Sequence, residues 1–446
     1  MQTKTLIIGL GLSGRAAAAF MLKRGATVSA VDQNRELLAT HEELKTLREK
    51  GLETYHEQDP LSISQFDLVV VSPGVPPTNP HYAAALAFGV TVIGEVELAS
   101  RYLTQTCLGI TGSNGKTTTT RLVEHVLNNT GKKALAIGNV GVPITSALDE
   151  LEENEILVAE LSSQQLETLQ TRILDGAVIL NITPNHLDRH GTMEHYAAAK
   201  FNIKNCLKKG ALLTLHSDCY LAFGHLLGDT PFQTFGYRPG STFFCDQKGI
   251  YYNETLEFLL PESYRDRVSH DVENMLAAYA LCRPMGVTPQ GFLQAFQTFK
   301  KPPHRIEFVA RINGVDFYDD SKGTSLDAVA KAVQSLPGQT ILIAGGLHKG
   351  APYTPWIKAF QGRVRCICAI GQAAKLIKED VGQAVPVEIF ESLESAVEHA
   401  ANMAKKGENV LLSPGCASWD MFKDYVHRGD QFKRIVLALT NEGKQL

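Results

Sequence analysis

The sequence predicts an α/β protein of three domains, on three observations. Buried strands alternate with helical stretches along most of the 446 residues, the pattern of mostly parallel sheets covered by helices. Two glycine-rich turns, Gly9 to Gly14 and Gly109 to Gly115, each follow an apolar run and lead into a helix. A chain of this length also holds about three domains at about 150 residues each. The boundaries are read at 1–94, 95–300 and 301–446.

The first domain is read as Rossmann-like. Thr5 to Ile8 is a buried strand running into Gly9-Leu10-Gly11-Leu12-Ser13-Gly14, a complete G-x-G-x-x-G. A helix is expected from Arg15 to Arg24, then a strand from Val28 to Val31 that ends at Asp32. Strand, turn, helix, strand and acid in this order place a nucleotide pyrophosphate at a helix start and a carboxylate near a ribose. They do not say which nucleotide. Leu68 to Val71 is a further strand, and Ser72-Pro73-Gly74 follows it either as part of the ligand-facing edge or as a simple strand-ending turn.

The second domain is read as a parallel sheet of the phosphate-loop ATPase type with an antiparallel extension. Its centre is Ile110-Thr111-Gly112-Ser113-Asn114-Gly115-Lys116-Thr117-Thr118. Glycines let backbone N–H groups converge on an anion, and the following helix adds its positive end. Lys116 reaches outer phosphates and Thr117 offers a hydroxyl to Mg²⁺. The usual first glycine of this pattern falls at Ile110, and Gly112 stands in its stead. Four threonines, Thr117 to Thr120, occupy the first helical turn, where stability alone would not choose β-branched residues. Glu160, at the end of the strand Ile156 to Ala159, is where a Mg²⁺ ligand is needed. Beside it, His186 in Asn185-His186-Leu187-Asp188 is read as a second metal position. Lys200 sits on an expected helix, Met193 to Asn205. Lys208 to Asp271 reads as short strands and turns, taken as the antiparallel extension, with helix again from Asp271 to Cys282.

The third domain begins near Pro302-Pro303-His304-Arg305. Strands Ile306 to Phe308 and Val315 to Tyr318 pair across Asn313-Gly314, followed by buried strands at Thr340 to Ala344, Val364 to Ile370 and Asn409 to Leu412.

Composition bounds the rest. A hydrophobic content of 44% against 20% charged residues allows large cores and argues against global disorder. A net charge of -4 gives no basic field to draw nucleic acid, so an anionic ligand must be held locally. The eight cysteines are scattered and read as reduced thiols of a cytoplasmic protein. Cys366 and Cys368 are too close together for a useful metal pair. Met1 to Leu10 lack the pattern of a secretory signal, and no apolar run reaches the roughly 18 residues of a membrane span.

With these motifs in order, the sequence resembles the Mur ligases of peptidoglycan synthesis. The likeness is carried by Ile110 to Thr117, Glu160-Leu161-Ser162-Ser163, Asn185 to Asp188, Pro303-His304-Arg305 and Asp320-Ser321-Lys322. Gly9 to Gly14, and Leu412 to Pro414 through Ser418, Asp420, Phe422, Lys423 and Arg428-Gly429, point to the branch that takes UDP-N-acetylmuramoyl-L-alanine and D-glutamate. The resemblance implies ATP-driven conversion of the L-alanyl carboxylate to an acyl phosphate, attack by the D-glutamate amine and loss of phosphate. It gives Gly11, Leu12, Ser13, Asp32 and Ser72 to the uridine diphosphate. Gly112 to Thr118, Asn274, Arg305 and Asp320 go to ATP. Asn139, Ser162 and Gln165 face the muramoyl peptide. Lys322, Thr324, Lys349, Ser418, Trp419 and Tyr425 surround D-glutamate, whose carboxylates account for the lysines. Thr117, Glu160, His186 and a carbamylated Lys200 hold Mg²⁺, two ions being expected. Lys116, Lys200, His186 and Glu160 are the catalytic set.

Asp271, Gly323, Ser325 and Trp419 depart from the residues common in the family (asparagine, alanine, asparagine and leucine). A monomer is expected, cytoplasmic, without nucleic-acid or membrane partners. An NAD-dependent dehydrogenase would explain Gly9 to Gly14 but leave the second loop, Glu160 and His186 unused. An alanine-adding muramate ligase or a folylpolyglutamate synthase would differ in the acceptor pocket, which makes Ser413 to Gly429 the discriminating stretch.

Overall fold

In the computed structural model, residues 3–262 and 270–442 are described. Their strands form three sheets. The first holds β1 (Lys4–Ile8), β2 (Thr27–Asp32), β3 (Glu53–His56), β4 (Leu68–Val71) and β5 (Thr91–Gly94), in the order β3-β2-β1-β4-β5. All its pairings are parallel. Strand order reverses between β1 and β4, and Gly9 and Ser72 lie just past the carboxyl ends of those two strands, the ligand-facing crevice of such sheets.

The second sheet contains β6 (Thr106–Thr111), β7 (Ala134–Gly138), β8 (Ile156–Glu160), β9 (Gly176–Ile179), β10 (Leu213–His216), β11 (Phe232–Gly236), β12 (Phe243–Cys245), β13 (Gly249–Tyr252) and β14 (Thr255–Leu259). Its order is β14-β13-β12-β11-β10-β9-β6-β8-β7. The antiparallel extension is shorter than the sequence predicts. β10 pairs in parallel with β9 and β11, and β11 with β12; only β12, β13 and β14 run antiparallel. The helix Ser217–Phe223 between β10 and β11 supplies the crossover that parallel pairing needs.

The third sheet contains β15 (Glu307–Ile312), β16 (Val315–Asp319), β17 (Thr340–Gly345), β18 (Val364–Ile370), β19 (Val387–Phe390) and β20 (Asn409–Leu412), in the order β15-β16-β20-β17-β18-β19. It is parallel except for β15, which turns back on β16 across Asn313 and Gly314. The central strands are apolar runs buried on both faces, β17 and β20 throughout, as parallel sheets require.

By contact density the chain forms two compact units. One spans Met1–Asn181 with Ala197–Phe299; the other spans Ile182–Tyr196 with Lys300–Leu446. Two acids help bind the first two sheets into one unit. Glu95, buried on the short helix Glu95–Ser100, accepts from Thr145 N and Oγ1, both at 2.7 Å. Glu97 accepts from the backbone of Gln170 and Thr171 and from Thr171 Oγ1. Carboxylates that take several N–H and O–H donors are among the stronger polar fasteners. Among the described residues, no helix is long and apolar enough to cross a membrane.

Candidate active site

The second glycine-rich turn joins β6 to the helix Lys116–Asn129. Gly112 and Gly115 have φ of 151° and 83°. A Cβ at Gly112 would meet Leu180 Cβ at 2.9 Å, and one at Gly115 would overlap Asn274 Oδ1. Only glycine suits both the conformation and the space. Asn181, just past β9, fixes the turn: its carbonyl accepts from Ser113 N and its Oδ1 from Asn114 N, both at 2.8 Å, while its Nδ2 donates to Asn114 O. Sequence reasoning missed Asn181. Lys116 Nζ donates to the carbonyls of Gly112 and Ser113, at 2.7 and 2.9 Å. Thr117 to Thr120 are buried, and Thr119 Oγ1 donates to Asn274 Oδ1 at 3.2 Å. Asn274 thus braces the loop from the helix His270–Cys282.

Glu160 ends β8 and is 1% exposed. Its Oε1 accepts from Asn139 Nδ2 at 2.7 Å, and its buried Oε2 has no hydrogen-bond partner among the described residues. A buried carboxylate oxygen left unsatisfied costs free energy, and a cation removes that cost. With Thr117 in the first turn of the loop helix, the oxygen donors present fit Mg²⁺, which favours carboxylate and hydroxyl ligands. Lys200, also 1% exposed, donates from Nζ to Gly112 O at 2.9 Å. Burial, then the charge of Lys116, push its pKa well below the usual lysine range, against the pull of Glu160. Ser162 and Gln165 form a capping box on the helix Ser163–Thr168, so both side chains have a local structural use as well as the expected substrate role.

The first glycine-rich turn is likewise self-braced. Asp32 accepts from Leu10 N at 2.6 Å and from Asn34 N at 2.8 Å. Ser72 Oγ donates to Gly9 O at 2.7 Å. Gly11 caps the helix Leu12–Lys23 with no side-chain hydrogen bond and no acid in the first turn, which leaves an anion-favouring helix start beside exposed Gly11 and Leu12 and half-buried Ser13.

In the second unit, His186 has φ 53° and stands at the start of the short helix Leu187–His190. Arg305 lies between His304 and Ile306, whose φ values are 62° and 51°. His304 Nδ1 is 2.6 Å from Asp319 Oδ2, and the backbone N of His304 donates to Glu307 at 2.8 Å. The ligand atoms of His304, Glu307 and Asp319 lie within 4.8 Å of one another; their mutual contacts brace the double kink around Arg305. Buried Asp320 accepts from Ser413 Oγ at 2.6 Å. Burial pushes its carboxyl up to about 7, against the Ser413 hydrogen bond and the Arg305 charge. A Cβ at Gly323 would overlap Asp320 Oδ2, so glycine in place of alanine lets this carboxylate close over the chain.

Lys349 Nζ donates to Thr324 O and Oγ1 at 3.0 and 3.1 Å. Both residues line a half-open recess together with Pro184, Asn185, Ser325 and His348. Lys322 Nζ lies 3.7 Å over the Tyr425 ring. Ser418 is buried, while Trp419 is 72% exposed and outside the recess lining. Arg428, fully buried, donates to Ser321 O at 2.8 Å and to Ser321 Oγ at 3.0 Å. The sequence marked it only as part of a resembling stretch.

A phosphate loop beside a buried carboxylate and lysine, on a chain with two further α/β sheets, is the architecture of a nucleotide-dependent ligase. Three family descriptions match consecutive segments: "Mur ligase MurD-like, N-terminal domain" over residues 3–94, "Mur ligase middle domain" over 110–282, and "Mur ligase, glutamate ligase domain" over 304–416. The chain belongs to the Mur ligase family. It is 48% identical over 436 residues to the UDP-N-acetylmuramoylalanine--D-glutamate ligase of Protochlamydia amoebophila, with 98% of each chain covered. The protein of that name in Solibacter usitatus is 40% identical, again over 98% of each. The fold is shared with MurF from Acinetobacter baumannii (TM-score 0.63, 16% identity, 96% and 93% covered). It is also shared with the UDP-N-acetylmuramate-alanine ligase MurC of Thermotoga maritima (TM-score 0.61, 19% identity, 98% and 100% covered).

Proposed function

We propose that this protein is an ATP-dependent amide ligase that adds D-glutamate to UDP-N-acetylmuramoyl-L-alanine through an acyl phosphate, in cytoplasmic assembly of the peptidoglycan precursor. The observation that carries this reading is the buried set at the phosphate loop, where Glu160 keeps one unsatisfied oxygen and Lys200 lies on the Gly112 carbonyl. Phosphoryl transfer between two anions demands positioning and charge neutralisation more than covalent help from the protein.

The roles follow. Backbone N–H groups from Gly112 to Thr118 cradle the phosphates, and Lys116 exchanges its loop carbonyls for outer phosphate oxygens. Thr117, Glu160 and a carbamylated Lys200 would hold Mg²⁺ through oxygen, and His186 keeps the metal role the family resemblance gives it. Mg²⁺, when bound, neutralises oxygens of the phosphoryl group and of the carboxylate. A depressed Lys200 pKa favours the neutral amine, the form that adds CO₂ to become a carbamate. Asn274, Arg305 and Asp320 serve the nucleotide. Gly11, Leu12, Ser13, Asp32 and Ser72 serve the uridine diphosphate, and Asn139, Ser162 and Gln165 the muramoyl peptide. Lys322, Thr324, Lys349, Ser418, Trp419 and Tyr425 serve D-glutamate. The functional division is 1–94, 95–300 and 301–446, in a monomer.

Crystals grown with ATP test the reading. The triphosphate is expected on the Gly112–Thr118 turn; a triphosphate on the Gly9–Gly14 turn contradicts it.

A further inference from the structure

The recess that contains Thr324 and Lys349 has a third polar wall. Its lining includes Asn185, Ser325, His348 and Tyr353. His348 immediately precedes Lys349, at the carboxyl end of β17. Its Nδ1 lies 3.1 Å from Tyr353 Oη, and the two rings pack at 5.5 Å between centroids. Tyr353 is buried, and its Oη lies 3.0 Å from Cys416 Sγ.

These contacts admit two sets of hydrogens. Burial pushes the Cys416 thiol up to about 11 and likewise keeps the Tyr353 phenol protonated, so either group can donate across their contact. When Cys416 donates, the Tyr353 O–H points at His348 Nδ1; when Tyr353 donates to Cys416, His348 Nδ1 donates to Tyr353 Oη. An imidazole that accepts at Nδ1 carries its hydrogen on Nε2. The Tyr353 contact thus sets the ring orientation, and a carboxylate facing Nε2 selects the tautomer with its hydrogen there.

We propose that His348 is a specificity-determining residue of the amino-acid site, donating from Nε2 to a carboxylate of the incoming amino acid beside the Lys349 ammonium. This deepens the D-glutamate reading above and rests on it. The placement makes chemical sense. A dicarboxylic amino acid brings two carboxylates with several acceptor sites each, Lys349 is already engaged with Thr324, and a fixed N–H adds direction without a further permanent charge. Tyr353 is a positioning residue, acting through His348 rather than on the substrate.

The test is steady-state phosphate release by the full chain, with KM measured separately for ATP, UDP-N-acetylmuramoyl-L-alanine and D-glutamate. His348→Ala is expected to raise the D-glutamate KM about tenfold, the effect of one hydrogen bond to a charged group. kcat and the other two KM values should stay within about twofold. His348→Gln, which can place an amide N–H near the Nε2 position, should recover most of the loss. Tyr353→Phe should raise the same KM by a smaller factor. An unchanged D-glutamate KM in His348→Ala overturns the proposal, as does a parallel rise in all three KM values. Should His348→Ala fail to fold, His348→Leu takes its place, and an unchanged D-glutamate KM in that variant overturns the proposal. Wild-type protein that ignores D-glutamate but uses another amino acid contradicts the D-glutamate reading alone. The KM comparison then runs with that amino acid, whose carboxylate His348 is expected to hold in the same way.

Discussion

His304 Nδ1 lies 2.6 Å from Asp319 Oδ2, both groups buried. The helix Tyr425–Glu442 crosses directly over them at Gly429, where a Cβ would overlap the imidazole. His304 and Ile306 both hold positive φ without being glycine, at about 1 kcal/mol or more each. The pair anchors the residue that precedes Arg305. Asp319→Ala is expected to destabilise the second unit by about 3 kcal/mol, the usual cost of removing one partner of a buried pair. Thermal unfolding with separate probes on the two units checks this. A wild-type midpoint would mean the kink is held by other contacts.

Lys116→Ala is expected to abolish ATP-dependent phosphate release while leaving the circular dichroism spectrum unchanged. In the structure Lys116 Nζ donates to two carbonyls of its own loop, those of Gly112 and Ser113. Full activity in this variant would remove the loop from the mechanism.

Lys200→Ala is expected to be nearly inactive and to recover in part when a small carboxylic acid is added, because the acid replaces the carbamate at the buried position beside Glu160. A wild-type rate without additive would rule out the carbamate.

Asp320 gives a pH dependence with a defined sign. Its carboxyl is raised from an ordinary value of 3.8 to about 7 in the folded protein. The folded state therefore binds more protons than the unfolded state across that window, and stability falls as pH rises through it. Asp320→Asn removes the effect. Relative to that variant, the wild type should lose stability between about pH 4 and pH 7 and change little above. Denaturant midpoints at a series of pH values check this; parallel curves for the two proteins would show that Asp320 ionises without penalty.

The local features were legible where a motif has a fixed spacing. Gly112, Gly115 and Lys116 announce the loop because their positions follow from turn and helix geometry alone. Glu160 was legible because a buried apolar strand ending in an acid is unusual. Asn181 was not, since its bonds to Ser113 and Asn114 span 67 or more residues and carry no local signature. The start of the first helix was placed at Arg15 instead of Leu12 because Gly11 provides no side-chain cap to mark it. The parallel pairing of β10 with β11 escaped notice because the crossover helix Ser217–Phe223 is short. Ser162 and Gln165 form a capping box in the structure, a role the sequence analysis does not assign them. The bond from His348 to Tyr353 could not be anticipated, since nothing in the sequence gives the rotamer that joins them.

The central claim is amide-bond formation driven by ATP with D-glutamate as the amine. The direct measurement is phosphate release with ATP, Mg²⁺ and UDP-N-acetylmuramoyl-L-alanine, comparing D-glutamate with L-glutamate, L-alanine and no amine. Sustained turnover with D-glutamate alone, with one amide product per phosphate, is the predicted result. Equal rates with all amines or with none, or turnover confined to L-alanine, would contradict the account.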